Sequence, residues 1–204
     1  DQLSFTFEKG KKYAIKGVSG SGKSTLLRLI LGVSQSCSGH IKVNEQMLSN
    51  LDKRNYYSSI SYVPQKTAIF DGSLAENVSM FRDFDKEQIE SSLKHVGLES
   101  MYESRKDYIY TNVNLPTLLS GGEERRLDIA RGLYSDADLI IFDEPTTGLD
   151  TTNGRLIGSI IKNIEDKIVI VVTHSEDKYF LNSFDYLLSL NNKKICIVES
   201  KELS

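Results

Sequence analysis

The chain has 204 residues, with 25 Lys and Arg against 28 Asp and Glu, a net charge of −3 and 39% apolar residues. That balance excludes a largely disordered chain and suits one domain with a real core, and without a basic excess to neutralise phosphates nucleic acid is not expected as the main partner. The two cysteines, Cys37 and Cys196, form no C-x-x-C pair, which excludes a disulfide framework or a cysteine-rich zinc site and fits a reducing compartment.

Lys12 to Lys16 is a short β-prone run ending at Gly17. A Gly/Ser-rich loop follows, then a helix-forming run from Thr25 to Leu31 stopped at Gly32. Gly39 to Val43 reads as a short strand, and Ile60 to Val63 as another, ended by Pro64. Ser73-Leu74-Ala75-Glu76 has the spacing of a capping box. Asp85 to Val96 is amphipathic, with Ile89, Leu93 and Val96 on one face and Gly97 as its stop. Ser120-Gly121-Gly122-Glu123 is a second capping box, opening a helix through Leu127, Ala130 and Leu133.

Two unbroken apolar runs come next, Leu139 to Phe142 and Ile168 to Val172. Such runs suit strands buried on both faces of a parallel sheet. Both end in polar residues, where ligand sites sit in open α/β sheets. Both are also far shorter than the roughly 20 residues of a membrane helix, and no signal peptide is visible. The stretch from 66 to 137 lacks such runs and reads as mainly helical. The expectation is one domain over 1–204, with a core at about 1–65 and 138–204 and a helical subdomain at about 66–137. The start at Asp1 without Met reads as a cut from a longer polypeptide.

Gly17-Val18-Ser19-Gly20-Ser21-Gly22-Lys23-Ser24 fits G-x-x-x-x-G-K followed by Ser or Thr. Glycines let successive backbone N–H groups turn into one hollow, and the following helix adds its N-terminal dipole. Lys23 is expected to reach the β- and γ-phosphates, and the Ser24 hydroxyl to bind Mg²⁺. Asp143-Glu144 closes the first buried strand. Asp143 is placed to hold Mg²⁺, through water. Glu144 is placed to orient and deprotonate an attacking water, a general-base role.

Leu119-Ser120-Gly121-Gly122-Glu123 stands between these motifs and resembles the signature of ATP-binding cassette proteins. Pro145 to Asp150 is similar to that family's D-loop, His174 to its switch histidine, and Gln65 after Tyr62-Val63-Pro64 to its Q-loop. Six motifs occur in family order, across nearly the whole chain. The resemblance implies an α/β fold: a P-loop NTPase core with a mostly parallel sheet, an antiparallel β element and an inserted helical subdomain. It implies ATP and Mg²⁺ as cofactors. The nucleotide would contact Gly17, Ser19, Gly20, Ser21, Gly22, Lys23, Ser24 and Thr25, and from a second copy Ser120, Gly121, Gly122 and Asp150. Mg²⁺ would sit with Ser24, Gln65 and Asp143, and Glu144, Gln65 and His174 would be catalytic.

Phe70 to Val78 resembles the exporter stretch F-x-G-S-I/L-x-E-N-I/V, which in exporters faces the membrane domain. The implied protein is an exporter's ATP-hydrolysing motor at the cytoplasmic face of the cell membrane. It would work as a head-to-tail dimer, with a membrane domain fused upstream. A soluble ribosome-associated ATPase and a catalytically dead cassette are the alternatives. The exporter-like stretch speaks against the first, and intact Lys23, Asp143, Glu144 and His174 against the second. Too few residues separate Ser24 from Leu119 for the coiled coil of DNA-linked members. Departures are Glu123 in place of the commonest Gln, Thr111 to Thr117 in place of T-x-V-G-E-x-G, and Ser175 to Ser183 in place of the usual continuation. The adenine-stacking aromatic is expected upstream of Asp1, with Tyr13 the candidate inside the chain. The transported substrate is not legible.

Overall fold

The structure is a computed structural model that describes residues 3–18, 20–34, 38–99, 107–191 and 194–200. Ser19 of the phosphate loop and Cys37 lie outside the described residues. The main sheet uses β1 (Lys12–Lys16), β4 (Ile60–Val63), β5 (Leu139–Asp143), β6 (Ile168–Val172), β7 (Tyr186–Asn191) and β8 (Lys194–Ser200), in the order β4-β5-β6-β1-β7-β8. Every pairing is parallel except β7 with β8, which is antiparallel. Apart from it, β2 (Lys42–Val43) and β3 (Gln46–Met47) form an antiparallel hairpin.

Successive residues of the central strands point to opposite faces, and each face has its own core. Tyr13, Ile15, Ile141, Ile170 and Val172 lie on one side with Leu27, from helix α1 (Lys23–Ile30). Ala14, Ile140, Phe142, Val169 and Val171 lie on the other. That second face is covered by α6 (Gly121–Tyr134) and α7 (Thr151–Lys162), through Leu127, Ala130, Ile157 and Ile161. Burial on both faces is why β5 and β6 are unbroken apolar runs. Leu127 is fully buried in this layer, so Leu127→Ala is expected to cost about 2–5 kcal/mol of stability, read from a urea melt.

Between α1 and β4 lies α2 (Lys53–Ser58); between β4 and β5 run α3 (Leu74–Ser79), α4 (Lys86–His95), α5 (Asp107–Tyr110) and then α6. Both expected capping boxes form: Ser73 with Glu76 opens α3, and Ser120 with Glu123 opens α6. The strand expected over 39–43 is shorter, with only Lys42 and Val43 paired. Asn44 and Glu45 both take positive φ (46° and 66°), a tight turn that sends the chain straight back, and the returning strand passes into a 3-10 turn at Leu48–Asn50, which ends the ladder after two residues. Helix α7 interrupts the sequence pattern with Gly154 and Gly158. A Cβ on Gly158 would stand 2.8 Å from Ser183 Oγ, so the glycine admits the segment around α8 (Lys178–Leu181).

Among the described residues, no helix is long and apolar enough to cross a membrane.

Candidate functional site

The strand order puts the C-terminal ends of β5, β6 and β1 side by side. Asp143 and Glu144 leave β5, His174 follows β6, and the phosphate loop follows β1. Three motifs far apart in sequence therefore meet at one sheet edge, as open α/β sheets arrange their ligand sites.

The loop is built by glycines with distinct tasks. Gly20 and Gly22 take positive φ (79° and 103°), which L side chains rarely adopt. Gly22 caps α1 without a side-chain hydrogen bond, leaving the helix's first N–H groups to a ligand. A Cβ on Gly17 would lie 2.5 Å from Ser21 Oγ and 2.6 Å from the Leu190 carbonyl. Gly17→Ala is therefore expected to lower stability by about 1–3 kcal/mol, as overpacking does, and to weaken nucleotide affinity as the loop shifts; a melt and a titration check both. The Lys23 ammonium is buried and donates to the Gly17 carbonyl (2.6 Å) and the Val18 carbonyl (3.2 Å). Ser24 and Thr25 are exposed at the start of α1.

At the end of β5, Asp143 Oδ2 accepts from the Tyr62 hydroxyl at 3.0 Å. Burial first, then that bond, pushes the Tyr62 phenol up to about 12, so it remains a donor. Glu144 is buried and takes a left-handed φ of 50°. Its N–H donates to Val172 O (2.9 Å), and its Oε2 accepts from the His174 N–H (3.1 Å). Its Oε1 is buried without a hydrogen-bond partner, 3.4 Å from His174 Nε2. Among the described residues, Ser21 Oγ and Asp128 Oδ2 are the other buried side-chain atoms so placed. A buried acceptor without a hydrogen bond costs about 1–3 kcal/mol, and His174 Nε2, 3.4 Å away, is a ring nitrogen in position to offset part of it. A cleft of about 270 Å³ opens beside Glu144 and His174, bounded by Thr147, Asp150, Arg155 and Asp177.

The remaining expected residues take these places. Gln65 is exposed just beyond β4. Ser120 caps α6: its N–H and hydroxyl both donate to Glu123 Oε2, at 2.8 and 2.7 Å. A carboxylate suits this box, so Glu123 in place of Gln keeps the helix start intact. Asp150 caps α7, accepting from the Asn153 N–H (2.9 Å) and side-chain amide (2.7 Å), which hold its carboxyl below the usual range. The same Asn153 side chain packs on Gly122, where a Cβ would stand 2.7 Å from its oxygen. The signature and D-loop segments thus touch within one chain, while Ser120 itself belongs to a different helix end from the phosphate loop. Tyr13 is 1% exposed, stacked on Tyr186 at 5.1 Å with Phe5 and Phe7 against its edges. A buried ring offers no platform to a base, which removes it as the candidate inside the chain.

Sequence reasoning missed Arg125. The residue is 5% exposed, and its guanidinium donates to three backbone carbonyls, of Pro64, Asp143 and Pro145. Burial lowers its pKa. It missed equally what holds the stretch after Gln65. Asn77 is fully buried and bonds the Phe70 N–H and carbonyl, and Arg131 on α6 binds Asn77 and Ala68. Gly72 bridges to Val113, tying this stretch to the departing segment. Phe70, Met80 and Phe81 are left exposed (40%, 47% and 54%).

A family model described as ABC transporter matches residues 1–147. The chain belongs to the ABC transporter family. It is 34% identical over 177 residues to a probable ABC transporter ATP-binding/permease protein of Haemophilus influenzae, covering 85% of this chain and 32% of that one. It is 33% identical over 210 residues to the glutathione/L-cysteine transport system ATP-binding/permease protein CydC of the same organism, covering 98% of this chain and 34% of that one. Among solved structures, a bacterial Atm1-family ABC exporter with ATP bound superposes with a TM-score of 0.81 at 26% identity, over 95% of this chain and 34% of that one. The fold is that of the ABC ATPases, a P-loop α/β core. The chain spans about a third of the length of these relatives.

Proposed function

We propose that this chain is the ATP-binding and ATP-hydrolysing unit of a membrane exporter, working at the cytoplasmic face of the cell membrane. The observation that carries the hydrolytic reading is the buried Glu144 Oε1, without a hydrogen bond and 3.4 Å from His174 Nε2, at the sheet edge that also carries the phosphate loop. Glu144 Oε1 takes a proton from the attacking water. Oε2 is held by the His174 N–H, so the carboxylate cannot swing away. His174 Nε2 steadies the water and the γ-phosphate beside it.

Lys23 and the α1 N-terminus bind the phosphates. The donor set fits Mg²⁺, a hard cation that takes oxygen ligands. Ser24, Asp143 and Gln65 would hold it, with Asp143 fixed by Tyr62, and it supplies charge neutralisation on the β- and γ-phosphates. Removing it with EDTA is expected to abolish phosphate release, and release restored by added Mg²⁺ is the check.

A second copy, placed head to tail, presents Ser120, Gly121, Gly122 and Asp150 to the same nucleotide. The helical stretch from 66 to 137 acts as the subdomain that carries this signature. Phe70, Met80 and Phe81, exposed around the hydrogen-bonded Asn77–Arg131 pair, suit an apolar contact with a membrane domain. Phosphate release from Mg-ATP, measured on the chain and its Glu144→Gln variant, tests the ATPase reading. Six hydrophobic spans in the polypeptide upstream of Asp1 support the exporter reading; a second cassette with a basic linker there overturns it.

A further inference from the structure

Helix α6 begins at the signature, and Arg125 lies five residues beyond Ser120 on it. Its Nε donates to the Pro145 carbonyl at 3.0 Å and its Nη2 to the Asp143 carbonyl at 3.1 Å. These two residues flank Glu144. Its Nη1 donates to the carbonyl of Pro64, the residue before Gln65. Only a planar guanidinium fork serves three such acceptors at once; an ammonium is a point donor. Asp128, 4% exposed, keeps a carboxylate oxygen 3.7 Å from Arg125 Nη1 while its other oxygen bonds Arg131. The fork thus has a carboxylate charge behind it, with no hydrogen bond between them.

The peptide it grips is the strained one. Glu144 is not a glycine, yet it takes a φ of 50°. Such a conformation persists only where the surroundings over-determine it. Here the surroundings are the Val172 carbonyl on one side and Arg125 on the carbonyls before and after.

We propose that Arg125 is a positioning residue for hydrolysis, binding the signature helix to the peptides around Glu144 and before Gln65 so that both follow the helix together. Buried at 5% exposure with its guanidinium on three backbone carbonyls, it acts through those peptides. It sets where the base and Gln65 stand, and a shift of α6 on engaging a second copy reaches them through it. The inference rests on the ATPase reading given above.

The test uses Arg125→Gln and Arg125→Lys, with kcat and KM for ATP, equilibrium ADP affinity and a thermal melt. Arg125→Gln is expected to lower kcat about 10- to 100-fold, since small misplacements of catalytic groups cost that much. ADP affinity and KM stay within about threefold, because the phosphate loop is untouched. Arg125→Lys, with its charge still beside Asp128, falls between the two. A folded Arg125→Gln protein with unchanged kcat overturns the proposal, as does a parallel loss of kcat and ADP affinity. If Arg125→Gln does not fold, Arg125→Lys decides: parental kcat overturns the proposal, a reduced kcat with parental ADP affinity supports it. A parent protein that hydrolyses no ATP overturns the ATPase reading and this inference with it, whereas an active parent with an indifferent Arg125 overturns the inference alone.

Discussion

Glu144→Gln is expected to bind Mg-ATP as the parent does and to hydrolyse it at least ~100-fold more slowly, the lower range for losing a general base. The replacement is nearly isosteric. A glutamine oxygen can still accept from the His174 N–H, which meets Glu144 Oε2 at 3.1 Å. The Glu144 N–H keeps its bond to Val172 O, so the turn need not move. What disappears is basicity at the second position, where Oε1 is buried without a hydrogen bond. An amide group there donates instead of accepting a proton. With hydrolysis stopped, ATP held between two copies would keep them together. Gel filtration in Mg-ATP is expected to shift the variant to a dimer, and the parent less. A variant wholly monomeric at high concentration counts against the head-to-tail pair; undiminished turnover removes Glu144 as the base.

The parts of the fold legible in the sequence are those where one local signal dominates. β5 and β6 are unbroken apolar runs because they lie inside the sheet with both faces covered. The capping boxes at Ser73 and Ser120 are self-contained, each closing its own helix start. Helix α7 shows the opposite case. Thr151-Thr152-Asn153-Gly154 is a poor helical opening. Asp150 as its cap and the burial of Ile157, Ile160 and Ile161 override that propensity. β7 carries only intermittent burial and pairs on one side with an antiparallel edge strand, so its pattern is diluted.

The site divides along the same line. The phosphate loop and the Asp143-Glu144 pair are contiguous motifs whose chemistry can be read from residue type and spacing. Arg125 cannot be found that way: its acceptors are backbone carbonyls at 64, 143 and 145, and a carbonyl leaves no mark on the sequence. The one available signal was a second arginine beside Arg126 with Asp128 three residues on, charges out of place on a helix face packed into the core. The positive φ of Glu144 is equally silent, since it arises from where β6 and α6 hold the turn.

Lys23→Ala is expected to abolish measurable Mg-ATP binding. Hydrogen bonds to charged groups contribute about 1.5–3 kcal/mol each, so two lost phosphate contacts amount to roughly 100- to 10,000-fold in affinity. The loop offers its ligand backbone N–H groups and one full positive charge, that of Lys23, and the N–H groups alone carry only partial charge. There is a second consequence. In the structure the ammonium is buried and donates to the carbonyls of Gly17 and Val18. It therefore shapes the loop even where no phosphate engages it. Alanine leaves both carbonyls turned into the hollow where an anion should sit, and they repel it. The variant is thus expected to lose both attraction and the loop's preformed geometry, a larger effect than deleting one contact. Isothermal titration with Mg-ATP separates the outcomes: no detectable heat fits this account, and parental affinity takes Lys23 off the β- and γ-phosphates. A melt without nucleotide isolates the structural share, since only the carbonyl contacts contribute there.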